Sequence, residues 1–185
     1  MLRVALAFAA IAAATPVCAQ PALESGFAGA LRGCEEWVLN PASWAEGPEP
    51  FIAAVNLGSA MGYVRSVDAA ALPPEQLRID NRYWRINSTE GAGYILVVSA
   101  TLPMCHITGG GDTDLQPAVE AVLTSDGFQG HWEAIRTEIQ GDLASTIFRN
   151  REEPMFSMTV SRSSEPGQRL DRVQVLATAM FDLGE

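Results

Sequence analysis

The sequence predicts an α+β domain, an antiparallel sheet of about five or six strands packed by helices. Two observations carry that reading. Apolar residues at steps of three and four mark helical stretches, while most of the chain beyond Glu133 alternates apolar and polar residues between short turn signals. A hydrophobic share of 48% against 18% charged, over 185 residues, places the chain among globular proteins with one core.

Residues 1–19 are expected to stand outside that core. Arg3 gives a positive start, Val4 to Ala14 an apolar run too short to span a bilayer, and Val17-Cys18-Ala19 a small-residue cleavage site before Gln20. This reads as a signal peptide, followed by one domain over 20–185. The expected compartment is the periplasm or the exterior. Cleavage removes Cys18 and leaves Cys34 and Cys105, an even pair that an oxidising compartment joins as a disulfide.

Pro21 to Leu39 is the first helix, with Leu23, Phe27, Leu31, Cys34 and Val38 on one stripe. Gly26, Gly29 and Gly33 weaken it, each by up to about 1 kcal/mol against alanine. Asn40-Pro41 ends it, and a loop around Trp44 follows. Phe51 to Val67 leans to a second helix despite Gly58 and Gly62. Arg82 to Asn87 and Tyr94 to Thr101 form the first hairpin, and the second strand is apolar enough to lie centrally. Gly109-Gly110-Gly111 reads as a connection into a helix over Asp114 to Asp126, capped by Thr113 or Asp114 and closed by Gly127. Glu133–Gln140, Leu143–Arg149, Phe156–Ser161 and Arg172–Phe181 are the remaining strands.

The element order is therefore α-α-β-β-α-β-β-β. Its strand–strand–helix–strand–strand–strand part is similar to profilin-like and PAS-like folds. That likeness rests on element order alone and implies no function.

After cleavage, 11 arginines and no lysine face 22 carboxylates, a net charge of −11. Nucleic acid and anionic membrane surfaces are repelled by such a chain, and stable membrane insertion is not expected. Cys105-His106 is not a catalytic dyad, because neighbours on extended backbone point to opposite faces and a bridged sulfur is no nucleophile. His106, Asp112, Asp114 and His131 are the residue types that hold a divalent ion, yet their spacing matches no metal motif. The two aspartates have a simpler role at a helix start. The triple glycine lacks the offsets and the lysine of a phosphate loop, and no serine carries a hydrolase elbow. No cofactor is called for.

Two functions remain. The first is a non-catalytic binding or interaction module of the cell envelope, recognising an envelope protein or a small ligand. The alternative is a small metal-assisted or hydrolytic enzyme centred on His106 and the Gly109–Asp114 loop.

Overall fold

A computed structural model of the chain describes residues 20–165 and 173–182. The expected leader and the first residue of the expected last strand, Arg172, lie outside that range.

The chain opens on α1 (Pro21–Leu39), α2 (Ala42–Ala45) and α3 (Glu49–Val55). Four strands follow: β1 (Met61–Val64), β2 (Asn81–Asn87), β3 (Ala92–Ser99) and β4 (Met104–Gly111). Two helices, α4 (Gln116–Leu123) and α5 (Asp126–His131), lead to β5 (Trp132–Gln140), β6 (Leu143–Asn150), β7 (Phe156–Ser163) and β8 (Val175–Phe181). All eight strands form one antiparallel sheet in the order β1-β2-β3-β4-β8-β7-β6-β5. Two four-stranded meanders thus meet at the β4–β8 pair.

The α+β class holds, and α1 spans the residues expected of it. The strand count does not hold, because the sheet has eight strands rather than five or six. One extra strand, β1, lies in the Phe51–Val67 stretch read as helix. There α3 stops at Asn56, whose φ of 55° is left-handed, and the chain resumes as strand after a single 3-10 turn. The other is β4, whose last three residues are Gly109, Gly110 and Gly111, expected to be a connection. Gly109 is required by close packing. A Cβ there would stand 2.8 Å from both Leu115 and Tyr94 side-chain carbons, so a strand passes where a larger residue would push α4 away. The element order also differs from the expected one, since four strands precede α4 and four follow α5.

One face of the sheet carries the core. Leu96 pairs across to Ile107, Ile107 to Ala177, and Ala177 to Val160, giving an apolar row through β3, β4, β8 and β7. Helix α1 lies over β3 and β4, flanked by α3 and α4. Phe27, Leu31, Cys34 and Trp37 are its buried residues against that row. The glycines that weaken α1 as an isolated helix let it settle closely. A Cβ on Gly33 would stand 2.9 Å from Leu96 Cδ2, and one on Gly29 2.6 Å from Leu57 Cδ1. Tertiary contact overrides propensity here.

Cys34 on α1 is bonded to Cys105 on β4, with Cα atoms 5.4 Å apart and a sequence separation of 71. Both are fully buried. Nearby, Trp37 donates its indole N–H to the Ser99 carbonyl at 2.7 Å and stacks on Trp44 with ring centres 4.4 Å apart. Arg82 lies beside the stack, its guanidinium carbon 5.5 Å from the Trp37 ring centre and 6.0 Å from that of Trp44.

Candidate functional site

The residues singled out by sequence lie in separate places. His106 and Cys105 project to opposite faces of β4: Cys105 meets α1 through the disulfide, and His106 hydrogen-bonds Thr178 on β8. Asp112 follows β4, its N–H donating to the Gly91 carbonyl. Asp114 accepts the Gln116 N–H at 3.0 Å, the helix-start role expected of it. His131 ends α5 on the helix side, exposed. Among the described residues, no three of His, Cys, Asp and Glu stand together as metal ligands would.

What the fold does assemble is a cleft on the helix side between α1 and α5. Ala28, Leu31, Arg32 and Glu35 recur at helical spacing along one edge of α1 and form its first wall. Val122, Phe128, His131 and Trp132 form the second. The cavity is about 440 Å³, and its lining is mostly apolar. Its aromatic wall is fixed from behind. Phe128 sits edge-on against Phe148, ring centres 5.1 Å apart, and Trp132 leans on Phe156 at 5.3 Å. Ser125 caps α5 by accepting the Phe128 N–H at 3.2 Å, which sets the start of that helix.

Glu35 is the polar group of this cleft. It also borders a second cavity of about 320 Å³, which brings Glu36, Asn150, Glu152 and Glu153 to the same place. Asn150 is buried. Its Oδ1 accepts the N–H groups of Glu152 and Glu153 at 3.0 and 2.9 Å, which leaves Nδ2 to donate to Glu35 Oε1 at 3.1 Å. The turn after β6 therefore aims an amide at the carboxyl. Burial raises the Glu35 pKa above its ordinary value, and the charge of Glu152 adds to the rise. The charge of His131 and side-chain hydrogen bonds from Trp132 and Asn150 act the other way without cancelling it. The Arg151 N–H donates to the His131 carbonyl at 2.8 Å and its Nε to the Gln129 carbonyl at 3.0 Å. Both hold the end of α5 against this turn.

Such a site suits recognition: an apolar, aromatic-walled cavity with one placed carboxyl and further acidic groups at its mouth. Sequence reading named His131 but not Glu35, which lies beside the apolar stripe of α1. The available signal was the 28-31-32-35 row, which joins small, apolar, basic and acidic residues on one helix edge. Comparison with protein-family models, characterised proteins and solved structures finds no match.

Proposed function

We propose that this domain is a non-catalytic binding module of the cell envelope, working outside the cytoplasm, and that its ligand occupies the cleft between α1 and α5. The observation that carries this reading is Glu35, a partly buried carboxyl held by Asn150 on the shared wall of two cavities. Four carboxylates, Glu35, Glu36, Glu152 and Glu153, outnumber Arg32 and His131 around them. The matching ligand has an apolar body for Phe128, Leu31 and Trp132 and a cationic, hydrogen-donating end for Glu35. An organic amine or a basic side chain of a partner protein meets both requirements.

What supports the compartment is the leader expected over residues 1–19 and the Cys34–Cys105 bridge, which a reducing cytoplasm would not maintain. A binder is favoured over the enzyme alternative by the employment of the residues that alternative needs. Gly109–Gly111 belong to a paired strand and Asp114 to a helix start, so the proposed catalytic loop is occupied by structural roles.

Phenethylamine is a suitable probe. Titrated into the mature domain, it should change the fluorescence of Trp132, a signal that disappears in Trp132→Phe. Glu35→Gln should weaken the response about tenfold, the loss of about 1.4 kcal/mol, and uncharged 2-phenylethanol should bind correspondingly less well. An unchanged Trp132 signal, or equal binding of amine and alcohol, would refute the assignment.

A further inference from the structure

The opposite face of the sheet holds a further cavity, built differently. The connection from β1 to β2, residues 65–80, runs across this face as a strap. Thr108 Oγ1 donates to the Ala71 carbonyl at 3.3 Å, and Ser99 Oγ donates to the Ile79 carbonyl at 2.7 Å. Arg78 folds back within the strap, its Nε donating to the Pro73 carbonyl at 2.7 Å. A cavity of about 310 Å³ opens between the strap and the strands. Its floor is a cross-strand row: His106 on β4 pairs with Thr178 on β8, and Thr178 pairs with Thr159 on β7. At ordinary strand spacing that row is about 10 Å long.

His106 is the unusual member. It is only 3% exposed, and its Nδ1 lies 2.8 Å from Thr178 Oγ1. Its Nε2 is buried and has no hydrogen-bond partner among the described residues. Leaving a buried polar atom unpaired costs stability, and a water or a ligand in the adjoining cavity can supply the partner. Burial lowers the His106 pKa to about 4, so the ring is neutral at neutral pH and one nitrogen carries the hydrogen. Nδ1 and the Thr178 hydroxyl can share their hydrogen bond in either direction; the tautomer in which Thr178 donates makes Nε2 a donor, and that is the form an anion entering the cavity selects.

The remaining lining decides what that donor meets. Among the described residues no carboxylate borders this cavity, and Arg78 is the one charged side chain that does. Arg78 forms no ion pair among the described residues. Ser161 and Thr159 add hydroxyls, while Leu72, Pro73 and Leu176 supply an apolar wall.

We infer that this cavity binds a small carboxylate with a short apolar tail, its oxygens held by Arg78 and by His106 Nε2 and its tail lying against Leu72, Pro73 and Leu176. The site is on the other face from the Glu35 cleft and prefers the opposite charge, so each stands or falls separately. Two correctly placed charged or neutral donors on one carboxylate are a recurrent arrangement, and the cavity volume falls in the range of small-molecule sites.

Sodium butyrate is the probe, read by nitrogen chemical shifts in mature protein labelled at histidine. Butyrate at neutral pH should move the His106 Nε2 resonance along a saturable curve while His131, exposed on the other side, stays in place. Butyramide, with the same shape and no charge, should bind at least about tenfold more weakly. Arg78 is exposed, so Arg78→Gln should fold normally and lose a similar factor. A second variant, His106→Leu, should abolish the thermal stabilisation given by butyrate. A static His106 resonance, equal binding of butyrate and butyramide, or undiminished binding by folded Arg78→Gln would overturn the inference.

Discussion

Replacing both Cys34 and Cys105 with alanine tests the packing of the domain most sharply. The bridge joins α1 to β4, neighbours of the sheet centre, across 71 residues of chain. A closure of that length removes chain entropy from the unfolded state equivalent to about 4 kcal/mol. Both sulfurs are buried, so the alanines also leave a small void, while α1 still packs on β3 and β4 in the core that holds Leu31, Leu96 and Ile107. The double variant should therefore fold to the same structure with stability lower by about 4 kcal/mol. For a domain of this size that corresponds to a fall in Tm of about 8–16 °C. Urea titration of the oxidised protein, the reduced protein and the double variant separates the causes. If the cross-link acts mainly on the unfolded chain, reduced protein and double variant should agree within about 1 kcal/mol, the scale of the void. A loss below about 1 kcal/mol in both would show that the bridge contributes no closure entropy, and the physical reasoning would fail.

Further outcomes follow from particular contacts. Gly33→Ala should destabilise by about 1 kcal/mol net, because overpacking against the fully buried Leu96 exceeds the gain in helix propensity; Gly29→Ala meets the half-buried Leu57, which can turn aside, and thermal melts should place it within about 0.5 kcal/mol of the parent. Trp37→Phe removes the indole bond to Ser99 and shrinks the ring stacked on Trp44, so chemical denaturation should show a loss of about 2 kcal/mol with unchanged secondary structure. His106 has a folded pKa of about 4, below its unfolded value of 6.5, so the unfolded state takes up a proton first as pH falls. Stability should drop between pH 6.5 and 4 by up to about 3 kcal/mol on this account. His106→Leu should flatten that slope, and a slope unchanged by the substitution would contradict the assignment. Glu35 acts with the opposite sign, since its raised folded pKa favours the folded state on the acid side and the benefit fades as pH climbs through that pKa.

Much of the architecture could be read from residue patterns, and the failures have physical causes. The stripe of α1 was legible because Leu23, Phe27, Leu31 and Cys34 repeat at helical spacing, and its glycines misled only about stability. They answer to Leu57 and Leu96, residues distant in sequence. The hairpin of β2 and β3 and the strands β5, β6 and β7 follow from alternation and turn residues. Strand β4 was hidden because its final three positions carry no side chains to alternate. Strand β1 was hidden because it has four residues and follows a true helix. Adjacent Cys105 and His106 were correctly expected to diverge, because the pleat of a strand alone requires it.

The cleft was less legible than the fold. Glu35, Trp132 and Asn150 come from α1, β5 and β6, and only the tertiary fold brings them together. His131 was visible as a chemically capable residue, but sequence gave no means of choosing its neighbours. The back-face cavity shows the same limit: Arg78 meets the His106 row because the strap crosses the sheet, and nothing in its local sequence requires that crossing.

Backbone amide shift mapping of the mature domain during a phenethylamine titration tests the proposed binding role most directly. The largest changes should cluster at Ala28, Leu31, Glu35, Phe128 and Trp132, on both walls of the cleft, and should shrink together in Glu35→Gln. Changes scattered over the surface, or centred on the β4–β8 back face, would contradict the account.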